Sequence, residues 1–467
     1  MVPANLTLRG SNYLTFAQQV TSPNQLIFPI TAQVNSQDHL TIGGCDVIEL
    51  VQNFGSPLYI LDEETLRLAS RQYRDSLLRF YPGKSQVIYA SKAWSSLAIC
   101  AIIASEGIGF DVVSGGELYT TLMALETIGL KDKAYSLIYF HGNNKSLDEL
   151  SYAIENHCTI IVDNWWELEA LESLAQEPVK IMLRLTPGIE CHTHEYIRTG
   201  SLDSKFGFDP NQFEQLFSYV SQHKKLNCVG LHAHIGSQIF EKEPHQDLTS
   251  VLAKSLQSAK EHGLEIDTLN IGGGLGIRYT ESDDPPSIVE WVEAVSKAMV
   301  DACTLAGIAL PKLMIEPGRS LIATACVTAY TVGSSKEIPG IRNYIAVDGG
   351  MSDNPRPITY QSLYRVVLAN GMSENAQFKV TIAGKHCESG DILIKDATLP
   401  ETSSGDILVV PATGAYNSSM SSNYNRLPRP AAVLVNQGEA NLIVKRETYL
   451  DLVKQDVLPE RLSNHQS

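Results

Sequence analysis

The sequence predicts an α/β plus all-β protein: a (β/α)8 barrel of the TIM type with a second β-sandwich or β-barrel domain. Three observations carry this expectation. Eight short apolar, strand-like runs, near 85–90, 109–113, 136–140, 159–162, 179–185, 227–234, 266–271 and 312–316, alternate mostly with helical stretches such as 116–128, 247–263 and 288–306. Eight such units suit a closed barrel, whereas a doubly wound sheet would be better served by six strands. After Pro317 the texture changes to short β-prone runs punctuated by Gly, Pro, Asn and Ser, at 325–332, 344–347, 379–383, 406–410 and 432–435, the pattern of an all-β domain. Finally, 467 residues with 43% hydrophobic composition suffice for two or three domains and a large core.

Taken in order, residues 1–37 hold one arginine, no acid and several Asn, Gln, Ser and Thr. They are expected to form a flexible extension, and a single arginine makes a poor transit peptide. Residues 38–60, with a β-prone run at 40–51, are expected to supply strands that cross back to the C-terminal domain. Asp62 is a helix N-cap, followed by the stripe Leu66, Ala69, Tyr73 and Leu77 and a stop at Pro82. The barrel is placed at 61–320 and the β domain at 321–467.

Composition excludes several partners. The 52 acidic and 36 basic residues leave a net charge of −16, which disfavours nucleic acid and means that an anionic ligand must be met by local groups. The longest apolar run, at 97–104, has eight residues, far short of a membrane span. The eight cysteines form no C-x-x-C pair, as suits reduced thiols and a cytoplasmic location.

Active sites of such barrels form at the C-terminal ends of the strands, and here those ends are polar. Lys92 follows the first strand, Asp111 lies on the second, His141-Gly-Asn-Asn144 follows the third and Arg184 is on the fifth. His232 and His234 are on the sixth, Gly272-Gly-Gly-Leu-Gly276 follows the seventh and Glu316-Pro-Gly-Arg319 closes the eighth. Any one of these has an ordinary structural reading, such as a core histidine, a turn glycine or a solvated lysine. Seven of eight strand ends behaving alike is hard to explain as packing.

The glycine cluster lets backbone N–H groups approach an anion, with Ser237 as a further hydroxyl. Its place after the seventh strand, rather than the first strand of a βαβ unit, disfavours a nicotinamide site. A lysine able to form an imine, a phosphate cradle, the carboxylate of Glu316 and the ring of His234 make a coherent set for pyridoxal 5′-phosphate. Glu316 would keep the pyridine nitrogen protonated, and His234 would stack on the ring.

The motifs resemble those of the diaminopimelate decarboxylases, within the alanine racemase and ornithine decarboxylase type of pyridoxal phosphate enzymes. They are Tyr89-Ala-Ser-Lys-Ala93, Phe110-Asp-Val-Val-Ser-Gly-Gly-Glu117, His141-Gly-Asn-Asn-Lys-Ser146, His192-Thr-His-Glu-Tyr196, Ser204-Lys-Phe-Gly207, His232-Ala-His-Ile-Gly-Ser-Gln238, the glycine loop and Glu316-Pro-Gly-Arg319. The β domain adds Asp348-Gly-Gly-Met-Ser-Asp353, Arg356-Pro357, Cys387-Glu-Ser-Gly-Asp391 and Gly414-Ala-Tyr416, so the likeness covers roughly 40–450. The departures are the N-terminal extension and Ala233 between the two histidines.

The resemblance implies decarboxylation of meso-2,6-diaminopimelate to L-lysine. It implies that Lys92, Asp111, His234, Ser237, Gly273, Gly274, Gly276, Glu316, Gly318 and Tyr416 hold the cofactor. Arg319, Arg356, Tyr360, Glu388 and Tyr416 would bind substrate, with Glu388 at the distal ammonium. Lys92, His234 and Cys387 are the expected catalytic residues, Cys387 as the proton donor. Cys387 and Glu388 are expected to reach the site from a second subunit of a homodimer. No metal is expected, since His192 and His194 lie in a family motif without a nearby Cys or carboxylate set. A related decarboxylase of ornithine, arginine or carboxynorspermidine is the alternative, with a non-catalytic pyridoxal phosphate-binding homologue behind it. Arg356 and Glu388 argue against the simple basic amino acids, because a remote carboxylate calls for buried cations.

Overall fold

The computed structural model describes residues 9–15, 21–189 and 203–462. Eight parallel strands close a barrel: Ser85–Ala90, Gly109–Val112, Ile138–Phe140, Thr159–Val162, Val179–Arg184, Leu226–His232, Thr268–Asn270 and Lys312–Ile315. They follow one another around the ring, and the last closes on the first through Leu313–Ser85, Met314–Gln86 and Ile315–Val87. Each falls on a run read from the sequence, because strands covered on both faces are continuous apolar segments. Ile88, Tyr139, Ile161, Met182 and Met314 form a small buried cluster of their own, drawn from strands around the ring; this plug lies below the site. The opposite faces of the strands pack against the outer helices in the main core.

Helix boundaries follow local chemistry. The Asp62 side chain accepts from the Thr65 N–H and starts Glu63–Phe80, whose buried stripe includes Leu66, Ala69, Tyr73 and Leu77. The helix Ile288–Ala306 opens on a Ser287/Glu290 capping box and ends at Gly307, in the left-handed region at φ 66°.

The second domain is a mostly antiparallel nine-stranded sheet. Its main path runs Ile392–Leu399, Phe378–Ala383, Arg342–Val347, Cys326–Ile338, Leu58–Asp62, Ala431–Asn436 and Glu439–Val444. Leu58–Asp62 lies inside this sheet, antiparallel to Cys326–Ile338 and parallel to Ala431–Asn436. A returning segment was expected at 38–60: the run at 40–51 does join the β domain, its Leu40, Ile42, Val47 and Leu50 sharing a core with Val327, Val409 and Val433, but it packs there without entering the main sheet. Leu40–Ile42 and Cys45–Asp46 pair in a small separate sheet with Gln33–Val34. Val47–Phe54 is a helix capped by Asp46, with Val47, Leu50 and Val51 buried at helical spacing. The strands Ile392–Leu399 and Glu439–Val444 escaped the sequence reading because their exposed polar positions interrupt the apolar pattern.

The expectation of a flexible extension fails for 21–37. Ser22, Asn24, Leu26, Ile27 and Phe28 are buried, and the Asn24 side-chain amide donates to the carbonyls of Gly276 (3.1 Å) and Pro286 (2.9 Å). A short Pro-initiated turn, Pro23–Gln25, followed by three apolar residues anchors the segment. The polar average of the whole stretch concealed that local run.

Candidate active site

A cavity of about 720 Å3 opens at the C-terminal ends of the barrel strands. Lys92, His234, Ser237, Gly274, Glu316, Gly318, Arg319, Arg356, Tyr360 and Tyr416 all line it, together with His141, Arg184, His232 and Tyr279. Gly273 and Gly276 flank Gly274 and the neighbouring lining residue Leu275 in the same loop, and Asp111 lies against Lys92.

The floor is built around Glu316, at the end of the eighth strand. Its Oε1 accepts from Asn270 Nδ2 at 2.6 Å and lies 3.1 Å from His141 Nε2, while Oε2 is 3.2 Å from His232 Nε2. Burial by itself would raise this carboxyl. His141 and His232 outweigh that effect and hold it well below the usual carboxylate range. Burial in turn pushes His232 down to about 4 despite Glu316, leaving a neutral ring beside an anion. Asn270 also accepts from the Gly272 N–H at 2.9 Å, so one amide ties the carboxylate to the glycine loop.

Lys92 sits in the short turn Ser91–Ala93 after the first strand. Its side chain is 44% accessible because it faces the cavity, and Nζ is 3.7 Å from Asp111 Oδ2. Enclosure by the surrounding protein favours the free amine, but Asp111 prevails and the lysine titrates above its ordinary value. Tyr416, at φ 62°, donates its N–H to the Ala93 carbonyl at 2.8 Å, pinning the β domain to the lysine turn.

The glycines are required by close approach. A Cβ on Gly273 would stand 2.1 Å from the Glu316 carbonyl oxygen, and one on Gly276 would stand 2.4 Å from the Phe240 ring. The Gly273 N–H donates to His234 Nδ1 at 3.3 Å. Burial, with Lys92 and Arg184 nearby, holds His234 well below its ordinary value, so it offers a neutral ring. A cavity-facing lysine, a buried ionised carboxylate on the floor and a side-chain-free glycine loop fit pyridoxal phosphate.

Above the floor, Arg319 donates to Ser237 Oγ from Nε (3.1 Å) and Nη2 (3.0 Å), and its guanidinium lies over the Tyr416 ring at 4.9 Å. The residues expected at the phosphate (Ser237) and at a substrate carboxylate (Arg319) therefore adjoin. Arg319 and Arg356 also share Tyr279, whose hydroxyl is 2.8 Å from one and 2.5 Å from the other. The sequence reading missed Tyr279, Tyr364 and Asn270. An asparagine ending the apolar seventh strand was a usable signal for the last of these, but nothing local marked the tyrosines. It quoted Lys145 within the motif at 141–146 but gave it no role; the lysine is buried and donates to the carbonyls of Gly142 and Ile161 at 2.8 Å each and to Glu167, bracing the loop at His141.

Cys387 and Glu388 are not brought to the cavity of their own chain. They occupy an exposed turn between Phe378–Ala383 and Ile392–Leu399. This turn is anchored by His386 Nδ1 on Asp391 at 2.6 Å and by the Cys387 N–H on Asn425 at 2.8 Å. Among the described residues, one cluster has metal-ligand chemistry, His141, His232 and Glu316, and it is this cavity floor. His192 and His194 lie outside the described residues.

Residues 66–323 match the model of the pyridoxal-dependent decarboxylase pyridoxal-binding domain. The chain is 65% identical to a diaminopimelate decarboxylase from Synechocystis sp. over 445 residues, 94% of this chain and 95% of that one. It is 46% identical to the Bacillus subtilis diaminopimelate decarboxylase, over 91% of this chain and 97% of the relative. The crystal structure of diaminopimelate decarboxylase from M. jannaschii in complex with L-lysine superposes with a TM-score of 0.84 at 33% identity, covering 92% of this chain and 99% of that one. With the barrel, the cofactor-fitting cavity and these likenesses in agreement, the chain belongs to the diaminopimelate decarboxylase family of pyridoxal-dependent decarboxylases.

Proposed function

We propose how this pyridoxal phosphate-dependent carboxy-lyase, which forms L-lysine and carbon dioxide from meso-2,6-diaminopimelate in the last step of lysine biosynthesis, uses its residues. The observation that carries the assignment of roles is the convergence of Lys92, His234 and Glu316 on one cavity whose far wall holds two buried arginines. Bound through Lys92, pyridoxal phosphate supplies an electron sink for the pair left when the bond from Cα to the carboxylate breaks.

The protein's part is placement and charge. Glu316, kept anionic by Asn270, His141 and His232, would keep the cofactor's ring nitrogen protonated. Neutral His234 provides a flat face without adding charge, and Asp111 orients Lys92. The side-chain-free loop at Gly273, Gly274 and Gly276, with Ser237, Gly318 and Tyr416, binds phosphate. Arg319, Arg356 and Tyr360 hold a substrate carboxylate, Glu388 holds the distal ammonium, and Cys387 delivers the proton that replaces carbon dioxide.

Cys387 and Glu388 do not line the cavity of their own chain, so these roles require a second subunit and a homodimer with shared sites. A cytoplasmic location is supported by seven unpaired cysteines among the described residues. No helix there is long and apolar enough to cross a membrane.

The test is carbon dioxide release by the cofactor-loaded protein from meso-diaminopimelate, with ornithine, arginine and L-lysine in parallel. Release from diaminopimelate alone is expected, and equal rates on ornithine would overturn the role of the arginine pair. Lys92→Ala should abolish both turnover and the absorbance of lysine-bound cofactor; retained turnover would refute its role.

A further inference from the structure

Arg319 and Arg356 are 5% and 6% exposed. Buried cations are ordinarily matched by carboxylates. Among the described residues, the hydrogen bonds of this pair go instead to hydroxyls: Arg319 to Ser237 and Tyr279, Arg356 to Tyr279 and Tyr364. Only Tyr279 touches both.

Three features hold its hydroxyl in place. The Asp283 carboxylate accepts from the backbone N–H groups of Tyr279 (3.0 Å) and Thr280 (2.8 Å), fixing the chain at the ring's base. The ring meets Tyr364 edge-on at 5.2 Å between centroids. The two guanidiniums then converge on its oxygen at 2.8 and 2.5 Å. An oxygen accepting twice still has its own proton to donate, and Tyr279 lines the cavity.

We propose that Tyr279 is a specificity-determining positioning residue, whose hydroxyl bridges Arg319 and Arg356 and sets their spacing to receive a substrate carboxylate. The inference rests on the reading that these arginines bind that carboxylate. Without the bridge, two like charges would repel and each guanidinium could turn independently, so the paired geometry that favours a carboxylate would be lost. Burial alone would raise the phenol's pKa, but the two arginines outweigh it and bring it below the ordinary tyrosine value, as expected of an oxygen serving as a shared acceptor.

The test uses the cofactor-loaded enzyme and two competitive probes: pimelate, a seven-carbon diacid without amines, and cadaverine, a diamine without carboxylates. Tyr279→Phe should raise the KM for diaminopimelate and the inhibition constant of pimelate by about tenfold, the size of one lost charge-assisted hydrogen bond. The kcat should stay within about twofold. Cadaverine inhibition and the absorbance of lysine-bound cofactor should not move. Asp283→Asn, which loosens the ring's base at a side chain that hydrogen-bonds to neither Arg319 nor Arg356, should shift the same two constants in the same direction and keeps the test open if the phenylalanine variant folds poorly. Pimelate inhibition unchanged in both variants, or weakened equally with cadaverine, overturns the proposal. Arg356→Ala separates the levels. If it weakens pimelate while Tyr279→Phe does not, only the role of Tyr279 falls; if neither does, the arginine reading falls with it.

Discussion

Two glutamates in the same barrel titrate in opposite directions, and the difference lies in what each can accept. Glu316 is buried among Asn270, His141 and His232 and is held ionised. Glu117 accepts the Val113 N–H and stands near the Asp111 carboxylate; burial first, then Asp111, push it up to about 7. The sign follows from linkage. A folded-state value above the unfolded one means that the folded protein holds the proton more tightly, so this contribution is complete below about pH 4.5 and is lost as pH rises through about 7. Glu117→Gln should therefore flatten the fall in stability between pH 5 and pH 8, by on the order of 2 kcal/mol after allowance for solvent screening. Thermal melts of both proteins across that range would check it, and parallel curves would count against the assignment.

At the scale of elements, the site depends on segments that are not part of the barrel. The turn at Asn24 clasps the carbonyl that ends the glycine loop, and the β domain pins the lysine turn through Tyr416. Asn24→Ala would leave the buried carbonyls of Gly276 and Pro286 without that donor. The expected cost is about 2–4 kcal/mol of stability, since an unmatched buried acceptor loses its solvation as well as its bond. The same variant should bind pyridoxal phosphate more weakly, because the loop it braces is the phosphate cradle. Titration of the cofactor-free protein, followed by absorbance, would show this, and unchanged affinity would make the clasp purely structural.

At the scale of the molecule, the separation of Lys92 from Cys387 makes a quantitative prediction. Lys92→Ala and Cys387→Ala proteins, each inactive alone, should recover about a quarter of wild-type activity when unfolded, mixed in equal amounts and refolded together. Random pairing makes half the dimers mixed, and each mixed dimer has one complete site. No recovery from well-folded, cofactor-bound mixtures would place the proton donor elsewhere.

Much of this architecture was legible before any coordinates. A parallel strand buried on both faces is a continuous apolar run, so the barrel strands could be read locally. Polar residues terminating such runs could be placed at one mouth of the ring, which located Lys92, His234 and Glu316 together. The membership of Leu58–Asp62 in a sheet formed mostly after residue 320 was expected only in outline: the run at 40–51 joins that domain by packing, and Leu58–Asp62 supplies the strand. The absence of Cys387 from its own chain's cavity was implied by the family resemblance, whereas the clasp at Asn24 and the meeting of Arg319 with Arg356 across Tyr279 were settled only by the tertiary structure. Periodicity and capping record a residue's immediate neighbours along the chain, whereas these contacts join residues tens to hundreds of positions apart, and chain closure alone brings them within reach.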